Sequence, residues 1–340
     1  EKEFGLIKGL AEENNFSKPQ QTGAVFDRKK VARAAYVEKV VRFVDYSNLK
    51  PLKIMINSGN GAAGPVVDAI NYQLKQVGVK TNFVYLHHKP DALFPNGIPN
   101  PLLKENRSVT SDVVIKERAD FGVAFDGDFD RCFLFDHRGN FIAGEYVVGL
   151  LSEVFLSKEK GGKIVHDPRV IWNTQNVVEK YKGHALLSKT GHAFVKASMR
   201  KHKAIYGGEI SAHHYFRDFA YCDSGMIPWL MIWQLLSGRK SKLFDLMNKR
   251  RNFFPSSGEL NFVVSDAPNC LQRVKVLLSG EATSIDELDG LSMSFENWRF
   301  NLRRSNTEPL VRLNIETRGD QSLLIEKTKM LKALIIRDDA

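Results

Sequence analysis

Two rhythms of apolar residues run along this chain. One is a set of short unbroken runs, the pattern of strands buried on both faces. These are Leu52–Ile56, Asn82–Leu86, Phe121–Phe125, Cys132–Phe135, Lys163–His166, Ala185–Leu187 and Ala204–Tyr206. Between them lie stretches with helical spacing: Ala32–Val44, Pro65–Val77, Ser111–Arg118, Glu145–Leu156, Asn176–Lys182 and Ala193–Lys203. Strands alternating with helices in this way predict α/β architecture. From Phe253 the grammar changes: strands at Glu259–Val264, Leu291–Phe295, Trp298–Arg303 and Val311–Glu316, with helices at Asn269–Leu278 and Ser322–Ile336, predict a small α+β unit of mostly antiparallel strands. The expected fold is two mixed-sheet α/β domains, 32–144 and 145–252, followed by an α+β domain at 253–340. Residues 1–31, with EENN, SKPQQTG and DRKK, read as a linker with one short helix at Phe4–Glu13.

Composition narrows the function. The 340 residues are 43% hydrophobic and 26% charged, with a formal net charge of +10, which favours an anionic partner. The basic residues stand in short clusters (Arg28–Lys30, Arg200–Lys203, Lys249–Arg251) with no zinc-finger spacing or aromatic-interleaved RNA motif. A phosphorylated small molecule is therefore expected rather than nucleic acid. Three cysteines without close pairing argue against a disulfide framework and fit a reducing cytoplasm. The most apolar stretch, Met226–Leu236, is too short to span a bilayer, so no membrane partner is expected.

Three loops carry chemistry. Asp126, Asp128 and Asp130 alternate with Gly127 and Phe129 between two buried-looking strands. Hard divalent cations such as Mg²⁺ take carboxylate oxygens, and acids two residues apart can fold around one ion. The alternatives are a solvated acidic hairpin and a phosphatase loop with Asp126 as nucleophile and Asp128 as general acid. The latter expects Thr or Val where Asp130 stands, which favours the metal loop. Gly207 to Tyr215 (GGEISAHHY) follows another strand; Glu209 and Ser211 can bond sugar hydroxyls, and His213 can bind a phosphate oxygen, move a proton or simply pack. The hairpin Arg303-Arg304-Ser305-Asn306-Thr307, with Arg312 on the next strand, offers a phosphate cradle or a plain polar tip. A glycine-rich turn, Asn57 to Gly64, suits either an anion or a tight strand-to-helix turn.

Taken together and in this order, DGDFDR, GEISAHHY and RRSNTEP resemble the α-D-phosphohexomutases, within them most closely the bacterial phosphomannomutases of capsule and O-antigen sugar biosynthesis. The resemblance runs from about Leu52 to the C-terminus. It implies Mg²⁺ on Asp126, Asp128 and Asp130 with Arg131 beside them, sugar hydroxyls on Glu209 and Ser211, and His192 and His213 lining the cleft. It places Arg303, Ser305, Asn306 and Thr307 on the idle phosphate, with Arg312 nearby, and Lys189 and Arg169 in the cleft. The implied reaction interconverts mannose 6-phosphate and mannose 1-phosphate through a phosphoserine and a hexose 1,6-bisphosphate, with His213 moving the hydroxyl proton. Ile210 stands where the family has Met. The larger departure is that the Thr-Ala-Ser-His-Asn-Pro type loop carrying the nucleophile is absent from the 340 residues. The chain thus resembles the second to fourth domains of such an enzyme, a fragment expected to bind phosphosugar without turning it over. The alternatives are a non-catalytic phosphosugar-binding module and the Mg²⁺-dependent phosphatase.

Overall fold

The computed structural model describes residues 2–305 and 309–336. In chain order the elements are α1 (Lys2–Glu12), α2 (Lys29–Val41), β1 (Lys53–Asn57), α3 (Gly64–Gln76), β2 (Asn82–Leu86), α4 (Ser108–Lys116), β3 (Phe121–Phe125), β4 (Cys132–Asp136) and β5 (Phe141–Ile142). Then come α5 (Gly144–Lys158), β6 (Lys163–His166), α6 (Trp172–Lys180), β7 (His184–Leu187), α7 (His192–His202), β8 (Tyr206–Gly208), β9 (His214–Phe216), β10 (Cys222–Asp223), α8 (Met226–Ser237) and α9 (Leu243–Phe253). The last group is β11 (Ser256–Val263), α10 (Ala267–Leu278), β12 (Ser284–Asp286), β13 (Leu291–Ser294), β14 (Trp298–Arg304), β15 (Leu310–Thr317) and α11 (Gln321–Ile336).

The first two sheets are built to one plan. The first has the order β2-β1-β3-β4-β5 and the second β7-β6-β8-β9-β10. In each, the first three strands of the order are parallel and two antiparallel strands follow as a hairpin and an edge. Parallel strands need helical crossovers, which explains the alternation in the sequence. Both loops with chemistry therefore occupy the same place, the hairpin after the third strand.

These two sheets share one hydrophobic core, running from Val37 on α2 to Met247 on α9. Its middle is α8, whose Met226, Ile227, Trp229, Leu230, Ile232 and Trp233 are all buried. Phe83 of β2 packs edge-on against Trp229 and Trp233, with ring centroids 5.7 and 5.5 Å away. The apolar stretch read from sequence only as too short for a bilayer is thus a helix buried on every side; among the described residues no helix is long and apolar enough to cross a membrane. Truncating either tryptophan would cost about 3–5 kcal/mol.

The C-terminal sheet, β11-β15-β14-β13-β12, is wholly antiparallel and has a core of its own with α10 and α11. Alternation along β14 sends Trp298, Phe300 and Leu302 into that core and Arg299, Asn301 and Arg303 to the opposite face. Register carries this polar face across the sheet: Arg299 lies opposite Glu316, Asn301 opposite Asn314 and Arg303 opposite Arg312. The face docks on the second sheet through Arg299 and Glu316, which are 2% and 1% exposed. Arg299 donates to the Arg169 and Pro168 carbonyls, and Glu316 accepts from the Ile171 and Trp172 amides. Those amides open α6, which has no side-chain cap of its own. A cap supplied from 144 residues away along the chain explains why α6 begins at Trp172 rather than at Asn176, where the local sequence suggested.

Candidate functional site

At the β3–β4 hairpin the chain turns through Phe129, held at φ 54°, and gathers three carboxylates whose oxygens lie within 4.8 Å of one another. Asp126 is buried and accepts from the Arg131 amide (3.2 Å) and Arg131 Nε (2.6 Å), while Asp128 is exposed and Asp130 half-buried. Burial, with Asp126 and Asp128 adding to it against the pull of His213, pushes the Asp130 carboxyl up to about 7. Asp130 Oδ1 is buried without a hydrogen-bond partner. Crowded carboxylates with an orphaned oxygen fit a hard divalent cation. The glycine-rich turn lies beneath: the Ala62 amide donates to the Gly127 carbonyl at 2.8 Å, and a Cβ on Gly61 would meet that oxygen at 2.4 Å. The turn braces the acidic loop.

The matching hairpin of the second sheet, Glu209 to His213, is zipped to the first. The Cys132 amide donates to the Ala212 carbonyl at 3.2 Å, and Arg131 and His213 form an isolated antiparallel bridge. The Gly225 amide donates to the Phe129 carbonyl at 3.0 Å. A Cβ on Gly225 would come within 2.6 Å of both the Phe129 and Arg131 carbonyl oxygens, so only glycine fits there. His213 Nδ1 stands 3.6 Å from Asp130 and 3.3 Å from Asp223, and Asp223 in turn pairs with Lys196 at 2.8 Å. Burial alone would lower the His213 pKa, but Asp223, Asp130 and Glu209 outweigh it and raise it above the ordinary imidazole value. Its neighbour His214 faces the other way, bonded through Nδ1 to the Tyr206 hydroxyl, and burial drives its pKa down to about 3.

Glu209 is 2% exposed; it accepts from the Tyr215 hydroxyl at 2.5 Å and from the Gly191 amide at 3.0 Å. Arg169 stands behind this loop, held by Asp167 through Nε (3.0 Å) and Nη2 (2.8 Å). Its Nη2 lies 3.5 Å from Ser211 Oγ and 3.9 Å from Glu209. Asp167 also accepts from the Ile210 amide at 2.8 Å, tying the same guanidinium to the loop backbone. Lys189 and His192 flank Thr190 and Gly191 and are exposed; the Thr190 amide donates to Asp289 of the C-terminal unit at 3.2 Å. That loop thus bridges the second and third sheets.

Arg303 and Arg312, cross-strand neighbours on the polar face of the C-terminal sheet, point toward Arg169. Burial and the nearby Arg169 lower the Arg303 pKa below the usual guanidinium value. Arg304, read from sequence as part of the same cradle, alternates to the opposite side of β14 and lines a separate cavity with Leu271, Gln272 and Lys275 of α10. Ser305 follows directly, its amide donating to the Leu310 carbonyl at 2.9 Å. Asn306 and Thr307 lie outside the described residues.

The structure thus brings Asp126, Asp128, Asp130, Arg131, His213, Glu209, Ser211 and Arg169 into one continuous network, and Glu259 joins Arg169 to Arg303 and Arg312. Sequence reasoning missed Asp167, Tyr215, Asp223, Lys196 and Glu259, single polar residues on or beside strands except for Lys196, which lies on α7. For Glu259 one signal was present: it alternates with Leu260 and Phe262, on the strand face that Asn261 shares with Arg312. A cavity of about 550 Å³ lined by Lys39, Arg42, Lys158 and Arg217 lies at the other end of the second sheet, remote from these groups.

Three domain families match the chain: phosphoglucomutase/phosphomannomutase α/β/α domain II at residues 34–139, α/β/α domain III at 143–253 and the C-terminal domain at 259–330. A phosphomannomutase of Salmonella typhimurium is 52% identical over 329 residues, spanning 97% of this chain and 72% of that protein. A phosphomannomutase of Escherichia coli K12 is 53% identical over the same shares. Among solved structures, a phosphoglucomutase/phosphomannomutase family protein of Burkholderia thailandensis superposes with a TM-score of 0.81 at 26% identity, covering 98% of this chain and 70% of that one.

Proposed function

The chain belongs to the phosphoglucomutase/phosphomannomutase family, and we propose that its cleft interconverts mannose 6-phosphate and mannose 1-phosphate through a hexose 1,6-bisphosphate. The observation that carries this reading is the backbone zip between the acidic loop and the 209–213 loop. It brings the three carboxylates and the 209–213 loop side by side, with the arginine row of the C-terminal sheet joined to them through Arg169, which supports a cation site next to a hydroxyl-binding one.

Asp126, Asp128 and Asp130 would hold Mg²⁺, which when bound neutralises charge on a transferring phosphoryl group. Arg131 fixes Asp126 from both backbone and side chain. Ser211 and the loop amides present hydrogen-bond groups to sugar hydroxyls, and Glu209 sets the loop's shape through Tyr215 and Gly191. Arg303 and Arg312, with Arg169 behind them, hold the phosphate that is not reacting, together with Ser305 and, by the resemblance, Asn306 and Thr307. Lys189 and His192 close the cleft beside the 209–213 loop. His213, between Asp130 and Asp223, takes the proton from the attacking hydroxyl as the new P–O bond forms and the Oγ–P bond of the donor phosphoserine breaks, leaving the serine oxygen free.

The donor of the phosphoryl group is a phosphoserine that these 340 residues do not supply, so turnover needs a segment bearing it. The chain works in a reducing cytoplasm. The contacts of Asp126 weigh against a phosphatase: a carboxylate buried and bonded on both oxygens to Arg131 is poorly placed to attack.

A coupled assay for interconversion of the two mannose phosphates, with Mg²⁺ and a hexose bisphosphate, tests this on protein of verified mass, alongside calorimetric titration with mannose 1-phosphate. Binding without turnover is expected from the chain alone, with turnover on adding a phosphoserine-bearing domain. Absence of phosphosugar binding would overturn the reading. Binding that no such domain converts to turnover would favour a pure binding module.

A further inference from the structure

Three guanidinium groups converge on one carboxylate at the mouth of the arginine row. Glu259 Oε2 accepts from Arg303 Nη2 at 3.1 Å and lies 3.6 Å from Arg169 Nη1. Glu259 Oε1 lies 3.4 Å from Arg312 Nη1. The three arginines come from two sheets: Arg303 and Arg312 face each other across β14 and β15, and Arg169 follows β6.

This differs from the buried acidic pairings nearby. Glu316 is 1% exposed and satisfied by short contacts to Arg299 and two backbone amides. Asp167 is 1% exposed and makes a bidentate pair with Arg169. The Glu259 side chain is 27% exposed and divided among three arginines; its contact to Arg303 is an ordinary hydrogen bond at 3.1 Å, while those to Arg312 and Arg169 are stretched to 3.4 and 3.6 Å. A carboxylate and a phosphoryl group offer guanidinium forks the same planar pair of acceptor oxygens. A partly solvated carboxylate divided among three guanidinium groups, two of them at long range, can yield its arginines to a stronger anion at small cost.

We infer that Glu259 is the resident counter-anion of the phosphate cradle, and that a phosphosugar binds by competing with it for Arg303 and Arg312. This rests on the phosphosugar reading above and adds a residue and a role to it. The role suits the reaction. A bisphosphate that must leave the cradle with one phosphate and return with the other cannot be gripped too tightly, and a built-in carboxylate takes back the arginines when the phosphate departs. Glu259 acts through the arginines and is a positioning residue.

The test is calorimetric titration of mannose 1-phosphate and mannose 6-phosphate, with Mg²⁺, into the 340-residue chain and its Glu259→Gln and Glu259→Asp variants. Thermal unfolding and circular dichroism check that all three are folded. Glu259→Gln, which keeps the shape and removes the charge, is expected to bind both phosphosugars about fivefold more tightly at low salt. The gain should shrink at high salt as screening weakens the competing charge. Glu259→Asp, which keeps the charge, is expected to return toward the parent affinity. Equal or weaker binding by folded Glu259→Gln overturns the inference while leaving the phosphosugar reading intact, because it would show that the carboxylate merely arranges the arginines. A parent chain that binds neither phosphosugar overturns both.

Discussion

Removing the Glu316 carboxylate should undock the C-terminal sheet from the rest of the chain. Glu316 Oε1 takes Arg299 Nη1 at 2.9 Å and the Ile171 amide at 2.7 Å, while Oε2 takes the Trp172 amide at 3.1 Å. Glu316→Ala therefore strands a buried guanidinium charge and two amides at the start of α6. Breaking a buried ion pair from one side costs about 3–5 kcal/mol. The lower end applies here, because Arg299 keeps the Arg169 and Pro168 carbonyls at 3.1 and 2.9 Å. Glu316→Gln keeps one acceptor but turns an amide NH₂ toward a backbone N–H, for a loss of about 2 kcal/mol. Urea unfolding followed by tryptophan fluorescence reads both, since Trp172 lies at the junction and Trp298 in the C-terminal core. An early transition confined to the C-terminal unit is expected, since its core is separate. A Glu316→Ala loss below about 1 kcal/mol would refute the argument. So would a double replacement of Arg299 and Glu316 by Met that costs as much as the single one.

Three further outcomes are expected. Buried His214, with a pKa of about 3 against 6.5 for an ordinary imidazole, is neutral in both states at pH 7. Below about 6.5 the unfolded chain takes up the proton first, so stability falls by about 2–3 kcal/mol between pH 6.5 and 4.5. His214→Gln, which still accepts from Tyr206, should flatten that slope in acid-unfolding curves, and an unchanged slope would count against it. Gly225→Ala should lower stability by about 1–3 kcal/mol and weaken phosphosugar binding, because its methyl group meets two carbonyl oxygens at 2.6 Å; a change in neither would sink the account of the zip. Asp126→Asn should weaken Mg²⁺ binding at least about tenfold in calorimetry and leave the chain folded, whereas a phosphoryl group trapped on Asp126 of the parent chain would instead identify a nucleophile.

How much of this could be read from the sequence depended on whether the signal was local. Phe121–Phe125 and Cys132–Asp136 were plain because a buried strand, a turn and its return lie within sixteen residues, and the acids between them mark themselves by spacing. The 207–215 loop was visible for the same reason. What escaped was tertiary. Met226–Ser237 shows no helical stripe because it is buried on all sides. The start of α6 was misplaced because its cap lies on β15. Arg303 and Arg304 looked like one pair of cations until strand alternation sent them to opposite faces. Asp167 and Glu259 are lone acids whose meaning comes only from the arginines brought to them. The shared plan of the first two sheets was hidden because it is a property of strand order, not of residues.

The fused core and the polar seam also decide where this protein can be re-engineered. A graft that exchanged the first two sheets separately would cut through α8 and expose tryptophans on both sides of the join. A graft at the C-terminal boundary would instead cut a polar seam: among the described residues, the Arg299 and Glu316 contacts, the Thr190 amide with Asp289, the Glu259 carboxylate with Arg169, Arg318 over the Trp172 ring, and the Gly319 amide with the Phe253 carbonyl. A donor sheet that kept those side chains in register could bring its own pair of strands in place of β14 and β15. The arginine-bearing sheet is therefore the exchangeable part of this molecule, and the pairing of the acidic loop with the 209–213 loop is the part that must be inherited whole.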